Sequence, residues 1–109
     1  MMKEVLYFIN PELKDGVNLT VRRGISWANK VRQGDTVYIA DTESSEVLAS
    51  AEITDIRIIP FNTIMNEDLI NQHDKSCRNT VGLHNAMKRA YPSFDWREIV
   101  TLVYFEVIG

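Results

Sequence analysis

Thr20 and Arg22 stand two residues apart in Asn18-Leu19-Thr20-Val21-Arg22-Arg23. In an extended strand successive side chains point to opposite faces. Asn18, Thr20 and Arg22 then share one face, and Leu19 and Val21 take the other. The trio puts an amide and a hydroxyl beside a permanent cation, a set that can hold a phosphate, a carboxylate or the edge of a base. The same alternation describes the solvated face of an edge strand. Asn18-Leu19-Thr20 also has the form of a glycosylation acceptor, a chance match where no secretory leader is visible.

Further residues could contribute to such a site. Arg23 adds a second cation. Trp27 can stack on a base at a cleft mouth or anchor the core. Lys30 can meet a phosphate or stay solvated. Trp96, beside Phe94, is expected to cover one end of the fold. His73, Cys77 and His84 are soft ligands, but three are fewer than structural zinc uses, so no metal site is expected. Lys75 and Arg78 would lower the Cys77 thiol pKa, yet no base is placed beside it. Glu106 lies in an apolar run, where alternation turns it to solvent or burial pairs it with a cation such as Arg22.

Charge limits the ligand. Twelve Lys and Arg against fifteen Asp and Glu give a net charge of −3, with the bases spread along the chain. Proteins that track a long phosphate backbone concentrate basic residues, because affinity grows with the phosphates neutralised. A small ligand or a few nucleotides in one cleft fits this balance better. No apolar run reaches the roughly 18 residues of a membrane span. Met1-Met2-Lys3-Glu4-Val5 has no leader pattern, and a single cysteine excludes an internal disulfide. These features imply a reducing, cytoplasmic setting and no membrane partner.

The elements that must position these residues follow from period and punctuation. At 109 residues, 45% apolar and 25% charged, residues 1–109 read as one domain without repeats or linkers. Val5 to Ile9 predicts a first strand, stopped by Asn10-Pro11. Asn18 to Arg23 predicts a second, and Ser26 is the expected cap of a short helix to Val31. Gln33-Gly34-Asp35 marks a tight turn before a strand from Thr36 to Ala40. Val47 to Ile59 is long for one strand and predicts a bulge near Thr54-Asp55. Asn66 to His73 predicts a helix capped by Asn66. Thr80 is the expected cap of a second, whose buried face holds Leu83, Ala86, Met87 and Ala90. Ile99 to Ile108, apolar on both faces, should run through the middle of the sheet. These elements imply an α+β fold, a small and mostly antiparallel β-barrel with flanking helices.

In this order the motifs resemble a family. Leu19-Thr20-Val21-Arg22, Gly34-Asp35-Thr36-Val37-Tyr38-Ile39, a helix ending at His73, a helix ending in Tyr91-Pro92, and Tyr104-Phe105-Glu106 within Val100 to Val107 resemble an ASCH domain of the PUA-like superfamily. The resemblance spans nearly the whole chain and implies a PUA-like barrel with an RNA-related role. Some small single-domain members hydrolyse N4-acetylcytidine. By that resemblance Thr20 matches their nucleophilic threonine and Arg22 the arginine two positions on. Their activating lysine falls on Val17 here, and their glutamate falls near Cys77. A threonine hydroxyl needs a base, and Lys14, Lys30 and Lys75 are the lysines that could replace it.

The expected function is therefore an RNA- or nucleotide-binding domain with a cleft around Thr20 and Arg22. Asn18, Arg23, Trp27 and Lys30 are further binding candidates. Nucleotides, modified nucleosides and short single-stranded RNA are the candidate ligands, and no cofactor is implied. The alternatives are an amidohydrolase acting on a modified nucleoside through Thr20, and a protein-interaction module without a small ligand.

Overall fold

A computed structural model describes residues 3–109; Met1 and Met2, part of the leader reading, lie outside the described residues. Five strands form one sheet: β1 (Val5–Phe8), β2 (Val17–Arg23), β3 (Thr36–Asp41), β4 (Val47–Pro60) and β5 (Ile99–Val107), in the order β1-β3-β4-β5-β2. All pairs are antiparallel except β1 with β3. The architecture is the expected α+β fold. The barrel, however, is not closed by a strand ladder: β1 and β2 are the two ends of the sheet order and do not pair. The seam is filled by side chains, with Arg22 of β2 lying over the Phe8 ring of β1 at 4.8 Å.

β5 is an inner strand between β4 and β2, and its alternation feeds two cores. Val100 and Leu102 join Leu19, Val21, Leu83 and Met87 on one face. Val103 and Phe105 join Leu6, Phe8, Ile39 and Ile53 on the other. Burying one such side chain stabilises by roughly 1.5–3 kcal/mol, so the doubly apolar pattern of β5 ties the two layers together. Glu106, near its end, is exposed. The β4–β5 register shifts between Ile53 and Asp55, which is the bulge that the length of β4 predicts.

Two helices accompany the sheet: α1 (Ser26–Lys30) and α2 (Thr80–Ala90). Their starts differ from expectation. Ser26 is the first residue of α1 rather than its cap, and Ile25 at the cap position makes no side-chain bond. Asn79, not Thr80, caps α2, its Oδ1 accepting from the Gly82 N–H at 2.8 Å. The segment from Asn66 to His73 is not an α-helix. Asn66–Leu69 forms a 3₁₀ turn, and the Asn66 side chain accepts from the Thr80 N–H instead of capping its own turn.

The physical reason lies at the edge of β2. Leu19 N–H donates to the Asn71 carbonyl at 2.7 Å, and His73 N–H donates to the Leu19 carbonyl at 3.0 Å. Groups that would continue a helix are spent on covering an exposed strand edge. A second 3₁₀ turn, Lys75–Cys77, then leads into α2. Gly82 permits their contact, because a Cβ there would overlap the Ser76 carbonyl oxygen.

Candidate functional site

The seam between β1 and β2 opens into a cleft of about 550 Å³. Tyr7 to Asn10 form one wall. Thr20, Val21 and Arg22 form the second, Gln72, His73, Asp74 and Cys77 the third, and residues of α2 that include Met87 and Arg89 the fourth. The loop covering the β2 edge thus also delivers Gln72 and His73 to the site.

Arg22 is the centre of its electrostatics. Its Nε donates to Thr20 Oγ1 at 3.1 Å, and its guanidinium lies over Phe8. Among the described residues it forms no salt bridge; the three ion pairs are Arg23–Glu98, Arg57–Asp68 and Arg97–Asp95. Desolvation, partly offset by Tyr91, lowers its pKa to about 10. The cation remains charged at neutral pH, and among the described residues its terminal nitrogens have no carboxylate partner.

His73 packs edge-on against the same Phe8 ring, with centroids 4.7 Å apart. Its Nδ1 is 3.0 Å from the Glu12 carbonyl, an acceptor, so the proton resides on Nδ1, and among the described residues Nε2 has no hydrogen-bond partner. Burial and then the nearby Arg22 charge lower its pKa, against the raising effect of the Glu12 carbonyl. Gln72 is buried, and its Oε1 accepts from the Asp74 N–H at 3.0 Å. Burial pushes the Asp74 carboxyl up, but bonds from the Ser76 hydroxyl and N–H and from Asn10 outweigh it and hold the group ionised.

The other candidates sit elsewhere. Asn18 is fully buried, and its amide is occupied by the loop before β2. Its Oδ1 accepts from Lys14 N–H at 2.9 Å, and its Nδ2 donates to the Lys14 carbonyl at 2.9 Å. Arg23 is held by Glu98 at 2.8 Å and lies over Tyr91. Trp27 packs on the core that contains Phe8, and Lys30 Nζ lies 4.9 Å from its ring centre. Neither Trp27 nor Lys30 lines the cleft, and neither do Lys14 or Lys75. Lys14 Nζ is bound to the carbonyls of Val17 and Asp15.

His73 and Cys77 line this cleft while His84 lines a second pocket with Phe61 and Trp96, so the three do not gather around one point. Trp96 is 58% exposed rather than covering an end of the fold; Phe94 is the buried member of that pair. The Cys77 thiol is not activated by Lys75 and Arg78, because burial raises its pKa. Phe8, Gln72, Asp74 and Arg89 were not legible as site residues. No spacing in the sequence joins the end of β1 to the segment after Leu69.

No protein-family model matches the chain, and no curated protein matches it. Solved structures do. An ASCH domain from Lactobacillus crispatus JV V101 superposes with a TM-score of 0.65 at 12% identity, over 83% of this chain and 63% of that one. The chain thus spans less than two thirds of that neighbour. A protein of Enterococcus faecalis V583, described under the family model DUF984, superposes with a TM-score of 0.65 at 15% identity, over 99% of this chain and 81% of that one. The chain thus shares the fold of this ASCH domain, an open five-stranded sheet with flanking helices.

Proposed function

We propose that residues 1–109 act as one binding domain, and that the cleft beside Thr20 and Arg22 takes the phosphate of a nucleotide or of a short single-stranded RNA. The observation that carries this reading is Arg22, a partly buried cation with no carboxylate partner among the described residues, opening onto a cleft. A desolvated charge costs free energy unless it is paired, and an anionic ligand supplies the pair. The exposed Tyr7 and Tyr91 rings at the cleft offer surfaces for a base. The likeness to ASCH domains, with their RNA-related roles, supports the same class of ligand. A buried free thiol at Cys77 fits a reducing, cytoplasmic setting.

A Thr20-dependent amidohydrolase has less support. The Thr20 oxygen accepts a bond from a cation, and no lysine lines the cleft to take its proton. The test is an NMR titration of labelled protein with cytidine, cytidine 5′-monophosphate, N4-acetylcytidine and a short single-stranded RNA at low salt. Shifts centred on Thr20, Arg22, Gln72 and His73, without product, are expected. Release of acetate from N4-acetylcytidine would assign the hydrolase instead. No shift with any of the four would overturn the cleft as a nucleotide site and favour a protein partner.

A further inference from the structure

His73 is a titratable group that phosphate binding by Arg22 alone leaves unused. Both residues rest on the Phe8 ring, Arg22 with Cζ at 4.8 Å and His73 with its ring centre at 4.7 Å. The Glu12 carbonyl fixes the proton on Nδ1, so protonation occurs at Nε2. The fixed charges that line the cleft are Arg22 from β2, Arg89 from α2 and Asp74 from the covering loop. They leave a single net positive charge, while Glu12 contributes from outside the lining. A phosphodiester carries one negative charge and is matched by that balance. A terminal phosphate carries about −1.5 to −2 and is not.

Resting on the reading of the cleft as a phosphate site, we propose that it selects a phosphate monoester over an internal diester. The ligand is a nucleoside monophosphate or a phosphorylated chain end, and His73 takes up one proton from solvent as it binds. Without ligand, burial and the Arg22 charge keep the imidazole neutral. A dianion against Arg22 cancels that field and accepts a bond from the Nε2–H of the imidazolium. No covalent bond forms or breaks; the only transfer is the proton from water to Nε2.

The experiment compares cytidine 5′-monophosphate with its 5′-methyl phosphodiester at pH 7 and low salt. Calorimetry in buffers of different ionisation enthalpy counts the protons, and NMR of the imidazole rings locates them. The monoester is expected to bind about tenfold more tightly. Its binding takes up close to one proton and raises the His73 titration midpoint by about a pH unit or more. His84, outside this cleft, serves as the internal control. His73→Gln is expected to lose the uptake and the preference. Equal binding of both ligands by the native protein, or uptake that leaves the His73 signals unmoved, overturns the proposal while leaving the cleft reading intact. Binding of neither overturns both.

Discussion

Arg22 donates through Nε to the Thr20 hydroxyl, 3.1 Å away and two residues earlier on the same strand face. The bond aims the side chain along β2 toward the seam with β1 and leaves the terminal guanidinium nitrogens for the cleft. Thr20 is thereby a positioning residue for the cation, and its buried oxygen is committed as an acceptor. The geometry that leaves the Arg22 guanidinium open to an anion in the proposed site also engages the Thr20 oxygen, which a nucleophile would need free.

Arg22→Met is expected to separate binding from stability. A pKa lowered to about 10 corresponds to roughly 3 kcal/mol of strain on the charged form at neutral pH. The Phe8 contact and the Thr20 bond return part of it, each worth about 0.5–1.5 kcal/mol. The variant should therefore melt at the same temperature or a few degrees higher. Nucleotide affinity should drop, and for RNA the salt dependence should flatten by about one phosphate. Thermal melts and binding at two salt concentrations check both halves. A lower melting temperature with unchanged affinity would make Arg22 a strut of the seam.

Thr20→Val keeps the side-chain shape but removes the oxygen that Arg22 Nε meets. A partly buried donor left unpaired costs about 1–3 kcal/mol, so moderate destabilisation is expected, with Thr20→Ser restoring most of it. Affinity for cytidine 5′-monophosphate should fall in the valine variant and recover in the serine variant. Retained affinity in Thr20→Val would show that the guanidinium is held by Phe8 alone.

The sign of the pH response follows from His73. Its native pKa is depressed, chiefly by burial, below the unfolded value near 6.5. Between these two values the unfolded chain binds more protons than the native one. Stability from this residue is complete above about pH 6.5 and is lost as pH falls below it. Denaturant melts at pH 7.5 and pH 5.5 should differ in the native protein and differ less in His73→Gln. Asp74, Asp95 and Glu98 are also depressed, but their contribution is lost only in the more acidic carboxylate range.

Much of the fold was legible because it rests on local rules. Strict alternation gave β2 its two faces, the length of β4 announced its bulge, and the doubly apolar β5 announced an inner strand. The site was legible only at Thr20 and Arg22, which a single strand places together. Asn18 shares their face, yet its amide closes the Lys14 turn, a contact that periodicity does not encode. The helix expected over Asn66 to His73 failed where tertiary pairing with Leu19 overrode local propensity. That same pairing carries Gln72 and His73 into the cleft, so the least legible element supplies two of its polar side chains.

Gly82 tests whether that loop must be seated for the cleft to exist. A Cβ at residue 82 would overlap the Ser76 carbonyl oxygen, a backbone atom that cannot rotate aside. Gly82→Ala should cost about 2 kcal/mol or more despite the better helix propensity of alanine. Because Asp74 and Cys77 flank Ser76 and line the cleft, nucleotide binding should weaken together with stability. Thermal melts and amide exchange of residues 72–78 provide the check. An alanine variant that melts as the native protein does would mean the 3₁₀ turn shifts freely, and the third wall of the cleft would then be adaptable.

Arg23 provides the matching control for Arg22, one residue away on the opposite face of β2. Glu98 accepts from its Nε at 2.8 Å and from its second terminal nitrogen at 3.1 Å, and Tyr91 and Phe94 stack against it. The carboxylate already satisfies this cation, so it has no electrostatic reason to bind a second anion. Arg23→Gln is expected to leave nucleotide affinity within about twofold of native, because a partly exposed, paired charge contributes little. Arg22→Gln should lose binding under the same conditions. Equal losses in the two variants would show that affinity follows the summed charge of β2, and the unpaired state of Arg22 would then carry no functional meaning.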